Sequence, residues 1–175
     1  TLADTVGMDI GYKVSKILHE AYGKRMPIAP ILEKLHELKL MGKKTKEGFY
    51  TYDSKEITVN TSIEALIHEE RKEIPQTEIV NRCMFIMINE AARCLEENIV
   101  KDASIIDFAM VTGTGFPPYK GGILSYANEV GIEYIVSKLN DYEKIYHHRF
   151  EVCDLLKNLK EENLDFNTGE NLWKH

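Results

Sequence analysis

Cysteine is scarce in this sequence, and long apolar runs are missing. The three cysteines, Cys83, Cys94 and Cys153, are an odd number at wide spacing in apolar helical settings. This spacing fits no zinc pattern and no disulfide framework, so we predict reduced, buried thiols in a reducing intracellular compartment. No apolar stretch approaches 18 residues and no basic segment of a secretory signal is visible, so we predict neither a membrane span nor secretion.

An excess of positive charge is also missing. The chain has 22 Lys and Arg residues against 28 Asp and Glu residues, which gives a net charge of −6. Such a chain has no general attraction for nucleic acid or anionic lipid, so an anionic ligand requires a local cluster of basic side chains. Metal binding is not expected, because the adjacent His147 and His148 would point about 100° apart on a helix.

The sequence lacks the glycine fingerprint of a dinucleotide-binding fold. Its most glycine-rich segment is TGTGFPPYKGG at residues 112–122. A nucleotide fingerprint follows a strand and opens directly into a helix, whereas here a helical pattern comes first and Pro117 and Pro118 interrupt the segment. We therefore predict a sharply turning loop, no cofactor bound by this chain and no Rossmann domain within it.

Apolar residues recur instead at helical spacing along most of the chain, which predicts an all-α fold. Helical stripes cover residues 8–21, 30–41, 62–73, 77–98, 103–111, 123–139 and 142–159. The 77–98 helix is apolar around most of its circumference, so we expect it to be buried on more than one side. Asp4 could cap the first of these helices and Asp102 the fifth. Residues 51–61 fit a short extended arm or a strand equally well.

The densest local signal is the segment GKKTKEGFY at residues 42–50. Gly42 ends the preceding helix and Gly48 allows another bend, while the two aromatic residues at its end provide anchors. One interpretation is a solvated loop held in place by two rings. The other is that Lys43 and Lys44 act as point charges that bind a phosphate-bearing substrate.

One unit of sequence occurs twice. Residues 3–9, ADTVGMD, parallel residues 127–133, ANEVGIE, and the VSK sequence of residues 14–16 recurs at 136–138 after a two-residue gap. The same order of turn, helix and apolar stripe accompanies both copies. The chain is therefore predicted to contain two related helical units.

Several segments, taken in order, resemble the C-terminal helical domain of 3-hydroxyacyl-CoA dehydrogenases. They are GKKTKEGFY at 42–50, IVNR at 79–82, NEA at 89–91, and the stretches 109–122 and 127–131. The resemblance covers nearly the whole chain and is strongest to the tandem copies in multifunctional fatty-acid β-oxidation enzymes. It implies two related helical units similar to the C-terminal domain of 6-phosphogluconate dehydrogenase.

The resemblance also implies how the chain is divided. Residues 1–52 would be the end of a first helical copy, residues 53–76 a linker with a short helix, and residues 77–175 a second copy with a polar tail. The NAD-binding domain of the family, with its catalytic His–Glu pair, is absent from these residues. Asn81 matches the active-site asparagine of the family, but in a copy that the resemblance implies is structural, so we expect a packing or capping role and assign no catalytic residue.

The function implied is the C-terminal, substrate- and dimerisation-type part of an NAD-dependent (S)-3-hydroxyacyl-CoA dehydrogenase, inactive by itself. In the complete enzyme, NAD would be bound by an N-terminal domain of the same protein, an acyl-CoA substrate would pass Lys43 and Lys44, and an oligomer is possible. The compartment would be the mitochondrial or peroxisomal matrix in a eukaryote and the cytoplasm in a bacterium. The alternatives are a stand-alone helical assembly module or an acyl-CoA-binding domain without catalysis.

Overall fold

The computed structural model describes residues 1–53, 56–66 and 73–174. Within these ranges the chain is mainly helical, and its only sheet is a two-stranded antiparallel hairpin. The predicted all-α fold class is thus confirmed. The chain divides into two compact units, Thr1–Glu73, here called unit 1, and Ile74–His175, called unit 2. None of the described helices is long and apolar enough to cross a membrane.

Unit 1 contains three α-helices and the hairpin. Its elements are α1 (Leu2–Val6), α2 (Met8–Tyr22), α3 (Pro30–Glu37), β1 (Tyr50–Asp53) and β2 (Glu56–Val59), with 3₁₀ turns at Gly23–Arg25 and Thr61–Leu66. Its small core is formed by Met8, Leu35 and Ile63, against which the ring of Phe49 packs. The segment 42–50 is thereby attached to the core by one ring.

Three local predictions in unit 1 need correction. Residues 2–6 form the short helix α1, so Asp4 lies inside a helix and does not cap α2, whose N-cap is Gly7. Helix α3 ends at Glu37, before Gly42, because Lys39 already takes a positive φ of 58°. The helix predicted for residues 62–73 is a 3₁₀ turn as far as Leu66, and residues 67–72 lie outside the described part of the chain.

Unit 2 contains five α-helices around one apolar core. They are α4 (Gln76–Glu96), α5 (Ala103–Thr114), α6 (Ile123–Val130), α7 (Ile132–Tyr146) and α8 (Asp154–Glu161), with 3₁₀ turns at Pro118–Lys120, His147–Phe150 and Glu170–Leu172. Helix α4 packs against α6, α7 and α8. Phe166 and Trp173 of the polar tail are buried in this core, which anchors the C-terminal segment.

The helix boundaries predicted in unit 2 were partly wrong. The single helix expected at 123–139 is two helices, because Gly131 adopts a φ of 96° that interrupts the ladder of hydrogen bonds. The helix expected at 142–159 is likewise split by the 3₁₀ turn at His147–Phe150. Asp102 caps α5 as predicted, since its Oδ1 accepts a hydrogen bond from Ser104 N at 2.9 Å.

Helix α4 is buried along one side only, so the prediction that it is buried on more than one side was wrong. Its buried residues include Phe85, Ile88 and Leu95, whereas Val80 and Cys83 are exposed.

The three cysteines form no disulfide among the described residues. The prediction that all three are buried was wrong, because only Cys153 is fully buried. Burial raises the pKa of the Cys153 thiol to about 12, so it remains protonated at neutral pH.

The two units share one backbone frame, offset by 124 positions. Helices α2 and α7 each contain 15 residues, and α3 and α8 each contain eight. Gly7, before α2, has φ 104° and ψ 136°, and Gly131, before α7, has φ 96° and ψ 123°. The repeat predicted from sequence therefore exists in the backbone, but without the two-residue gap, since Val14 corresponds to Lys138.

The shared frame continues past the ends of α3 and α8. Lys39 and Asn163, again 124 positions apart, adopt φ values of 58° and 53°. The bonds that close the two turns are Leu40 N to Leu35 O at 2.9 Å and Leu164 N to Leu159 O at 2.8 Å. The matching backbone features therefore extend to residue 40 in unit 1 and residue 164 in unit 2.

Candidate functional site

Asp4 is the centre of the lysine-bearing turn in unit 1. Its side chain is fully buried, and Oδ1 accepts a hydrogen bond from Phe49 N at 2.9 Å. Oδ2 accepts from Tyr50 N and from the Tyr52 hydroxyl, both at 2.9 Å. A buried carboxylate is stable only where such donors replace its hydration, and here three of them converge. The contacts join α1 to a segment more than 40 positions further along the chain.

Two glycines allow the turn to lie directly on Asp4. A Cβ on Gly42 would meet the backbone of Asp4, and a Cβ on Gly48 would meet the Asp4 carboxylate. Gly42 also has a positive φ of 81°, which side-chain-bearing residues rarely adopt. Both glycines of the GKKTKEGFY sequence are thus explained by close approach to one buried side chain.

The two candidate lysines, Lys43 and Lys44, lie in different electrostatic environments. The Lys44 ammonium is 2.9 Å and 3.1 Å from the two carboxylate oxygens of Asp9. This hydrogen bond lowers the pKa of the Asp9 carboxyl below its ordinary value. Lys44 is therefore already paired with a carboxylate of the same unit.

Lys43, by contrast, is held by its backbone and by an aromatic ring. Its N–H donates to Asp4 O at 3.0 Å, and its ammonium lies 5.8 Å from the ring centroid of Tyr52. No carboxylate among the described residues is within ion-pair distance of this ammonium. Burial, followed by the hydrogen bond to Asp4, raises the pKa of Tyr52 to about 12, so the phenol stays a donor. Of the two candidates, Lys43 keeps its positive charge available.

Unit 2 has the same anchor without the lysines. Asn128, 124 positions after Asp4, accepts a hydrogen bond from Phe166 N at 3.0 Å, as Asp4 does from Phe49 N. Phe166 follows Phe49 by only 117 positions, so unit 1 has seven additional residues, 42–48, which we call the lysine insert. Unit 2 has instead an open cleft of about 480 Å³ that Asn128 and Gly131 help to line.

Asn81 lies on α4, near the start of unit 2, and is half-buried. It makes no side-chain hydrogen bond to another described residue, whereas its neighbour Arg82 is bound to Glu78 at 3.0 Å. The guanidinium of Arg82 also lies 4.6 Å from the ring centroid of Tyr146. The structure therefore does not bring Asn81 together with Lys43 or Lys44 in one unit.

The glycine-rich loop before α6 holds a carboxylate of the protein itself. Asp107, which is buried, accepts hydrogen bonds from Leu124 N at 2.7 Å and from the Ser125 amide and hydroxyl at 3.0 Å and 2.6 Å. These amides at the start of α6 are the groups that would otherwise bind a phosphate. The loop residues thus do not fit a dinucleotide, because the Asp107 carboxylate already occupies these amides.

The sequence identifies the lysines but not the residues that hold them. It predicts a helix cap at Asp4 and indicates no role for Tyr52. A signal was present, because the repeat aligns Asp4 with Asn128, two side chains that both accept hydrogen bonds. Among the described residues, no group of three His, Cys, Asp or Glu side chains could hold a metal ion.

The family profile described as the 3-hydroxyacyl-CoA dehydrogenase C-terminal domain matches residues 1–52 and 79–175. The chain therefore belongs to the 3-hydroxyacyl-CoA dehydrogenase family, and it contains the family's C-terminal helical domain. The gap between the two matched segments includes the hairpin strand β2 and the first turn of α4. Asp4, the lysine insert and Tyr52 all lie in the first matched segment.

Relatives of this chain are subunits of fatty acid oxidation complexes. It is 35% identical over 155 residues to the fatty acid oxidation complex subunit alpha of Vibrio campbellii, covering 88% of this chain and 22% of that protein. It is 35% identical over 169 residues to the Shewanella halifaxensis subunit, covering 95% and 24%. The chain thus spans about a quarter or less of the length of these curated relatives.

Two solved structures have the same fold. The dehydrogenase part of multifunctional enzyme 1 from C. elegans matches with a TM-score of 0.60 and 27% identity, over 89% of this chain and 37% of that one. The 3-hydroxybutyryl-CoA dehydrogenase of Escherichia coli matches with a TM-score of 0.69 over 93% and 51%, and at 17% identity it supports the fold alone.

Proposed function

We propose that this chain is the helical, substrate-side part of an NAD-dependent (S)-3-hydroxyacyl-CoA dehydrogenase of fatty-acid β-oxidation, and that Lys43 contacts the phosphates of the acyl-CoA. Family membership and the names of the relatives support the reaction class. The observation that carries the site is the lysine insert, in which the Lys43 ammonium lies over an aromatic ring and has no carboxylate of the described residues within ion-pair distance.

In this proposal the chain supplies binding and not hydride transfer. Oxidation of a 3-hydroxyacyl-CoA needs a positioned nicotinamide and a general base, and the glycine-rich loop of unit 2 is filled by Asp107. We therefore assign NAD and the catalytic base to an N-terminal domain of the same protein and expect this chain to be inactive alone. A reducing compartment, cytoplasmic in a bacterium or in an organelle matrix in a eukaryote, belongs to the same proposal.

The test is a titration of the chain with coenzyme A at low ionic strength, in which amide NMR spectra report the dissociation constant. Lys43→Ala should weaken binding by up to about fivefold, because an exposed charge contact contributes about 0.2–1 kcal/mol. The double variant D9N/K44A removes the Asp9–Lys44 pair without changing net charge, and it should leave the dissociation constant unchanged. Lys101→Ala in unit 2 controls for a general loss of charge. Added salt should reduce the effect of Lys43→Ala.

An unchanged affinity in a folded Lys43→Ala variant at low salt would overturn the proposed phosphate contact. In a dehydrogenase that contains this unit, Lys43→Ala should raise KM and leave kcat nearly unchanged, since a distant phosphate contact is equal in the ground and transition states. A fall in kcat at constant KM would instead place the lysine nearer to the reacting atoms.

A second candidate function is helical assembly, favoured by exposed apolar side chains on α1 and α2. They are Leu2, Val6, Ile10, Val14 and Ile17. An apolar stripe of this kind on two consecutive helices is typical of a surface that is covered in a larger assembly. Sedimentation equilibrium of the chain and of Ile17→Lys distinguishes this role, because self-association lost in the variant, with coenzyme A affinity retained, would favour assembly.

A further inference from the structure

We propose that Asp4 is a positioning residue for ligand binding, acting through Tyr52 and Lys43. The inference rests on the proposed phosphate contact of Lys43 and deepens it. Asp4 is buried and cannot touch a ligand itself. Its contacts instead determine where the Lys43 ammonium lies.

Asp4 tethers both ends of the lysine insert. At the start, its backbone oxygen accepts from Lys43 N at 3.0 Å. After the end, its carboxylate accepts from the amides of Phe49 and Tyr50, both at 2.9 Å. An insert held at both ends by one buried residue has few alternative conformations, so its side chains lose less entropy when they bind a ligand.

The third link runs through the side chain of Tyr52. The Tyr52 hydroxyl donates to Asp4 Oδ2 at 2.9 Å, and the Lys43 ammonium lies 5.8 Å from the centroid of the same ring. A ring fixed at its hydroxyl end is a defined platform for the cation above it. Asp4, Tyr52 and Lys43 therefore form one connected series from the interior of unit 1 to its surface.

Unit 2 shows what the frame needs when no lysines have to be placed. There an amide side chain, Asn128, holds Phe166 with one oxygen, and its Nδ2 is buried without a hydrogen-bond partner in the described chain. An amide has one acceptor atom, whereas the Asp4 carboxylate uses both oxygens for three donors. The additional acceptor occurs in the unit that carries the lysine insert.

The experiment is a double-mutant cycle on the full chain, with coenzyme A as the probe. Asp4→Asn keeps the oxygen that Phe49 needs and removes the acceptor of Tyr50 and Tyr52, so we expect affinity to fall by about two- to fivefold. If Asp4 acts through Lys43, the variant D4N/K43A should bind no more weakly than Lys43→Ala alone. Tyr52→Phe keeps the ring and breaks only its tether, so it should give a smaller loss in the same direction and also be non-additive with Lys43→Ala.

The matched control is Asp107→Asn, which alters a buried carboxylate with three hydrogen bonds in unit 2. It should lower the melting temperature without changing the affinity for coenzyme A. Additive losses in D4N/K43A, or an unchanged affinity in both Asp4→Asn and Tyr52→Phe, would overturn the positioning role. If Asp4→Asn unfolds unit 1, the cycle with Tyr52→Phe decides alone. An unaffected Lys43→Ala variant would instead overturn the proposed function, so the two failures are distinguishable.

Discussion

Unit 1 and unit 2 use one backbone frame but stabilise it by different interactions. In unit 2 the frame surrounds an apolar core to which 23 buried side chains of the described chain contribute, whereas unit 1 has three. Ile135 and Leu139, both fully buried in α7, correspond to Gly11 and Ser15 in α2. Unit 1 instead gathers hydrogen-bond donors on Asp4. The comparison teaches that a polar anchor can hold the connection that follows α3 where the apolar core is small.

Alanine substitution of the matching leucines should give the largest effect. Leu35 and Leu159 occupy equivalent positions and are both fully buried. Leu159→Ala should lower the free energy of unfolding by about 2–5 kcal/mol, because it leaves a cavity in the large core. Urea unfolding measures this change. Leu35→Ala should act mainly within unit 1, where hydrogen exchange of the amides near residues 30–52 should accelerate.

The exchange rates of α7 and α8 serve as the control for Leu35→Ala. They should remain as in the wild type if the small core of unit 1 is an independent cooperative unit. Equal acceleration of exchange in both units would show that unit 1 and unit 2 do not unfold independently.

Loss of the Asp107 carboxylate, which accepts hydrogen bonds at the start of α6, should have the second largest effect on stability. Asp107→Ala leaves the amides of Leu124 and Ser125 without their acceptor, which should cost about 1–3 kcal/mol. Asp102→Ala removes the hydrogen bond to Ser104 N at the start of α5 and a partly exposed ion pair with Lys174 at 3.9 Å, and it should cost about 1 kcal/mol. Thermal denaturation compares the two variants. An equal loss of stability would mean that burial of the Asp107 carboxylate adds nothing to the strength of its hydrogen bonds.

The matching glycines provide a more sensitive comparison. Gly7→Ala and Gly131→Ala both introduce a side chain at a positive φ near 100°, which should cost about 1–3 kcal/mol in each unit. A Cβ at Gly7 would also meet the Asp9 carboxylate and the Lys44 ammonium, whereas no atom of the described residues lies within 4 Å of a Cβ at Gly131. Gly7→Ala should therefore be the less stable of the two in urea, and the reverse order would refute the difference in packing.

The smallest predicted effect is the loss of the Asp9–Lys44 interaction at acidic pH. The hydrogen bond from Lys44 lowers the Asp9 pKa below its ordinary value of 3.8, so the stabilisation exists above that value and is lost as the pH falls through the folded-state pKa. Carboxyl NMR should show Asp9 titrating at a higher pH in Lys44→Ala than in the wild type. The same measurement on Lys43→Ala is the control, and it should leave the Asp9 titration in place.

The helices were predictable from sequence because their apolar periodicity is local information. The face that each helix buries was not, since it depends on the neighbouring elements. Ile10 and Val14 correctly predicted the helix α2, yet both are exposed, and the residue of α2 that enters the core is Met8. Periodicity predicts a stripe, but only packing shows whether the stripe is covered in the unit described.

The break at Gly131 and the role of Asp4 were missed for related reasons. Gly131 interrupts a stretch whose apolar pattern continues on both sides, and only its match to Gly7 indicated a boundary. The partners of Asp4 lie 45 to 48 positions away, beyond any local pattern. The lysines could be identified because their charge is visible in the sequence. The pairing of Lys44 with Asp9 is visible only in the structure, because the two residues are 35 positions apart.

The lysine insert has a consequence for how such a protein can change over time or be redesigned. The residues that flank it, Met41 and Phe49, correspond to Asp165 and Phe166, which are adjacent in the other unit. The segment is therefore an addition to a backbone frame that this chain contains both with it and without it. Because the frame exists in both forms, segments of different length and charge can be tested at this position, provided that they keep the hydrogen bonds to Asp4 at both ends.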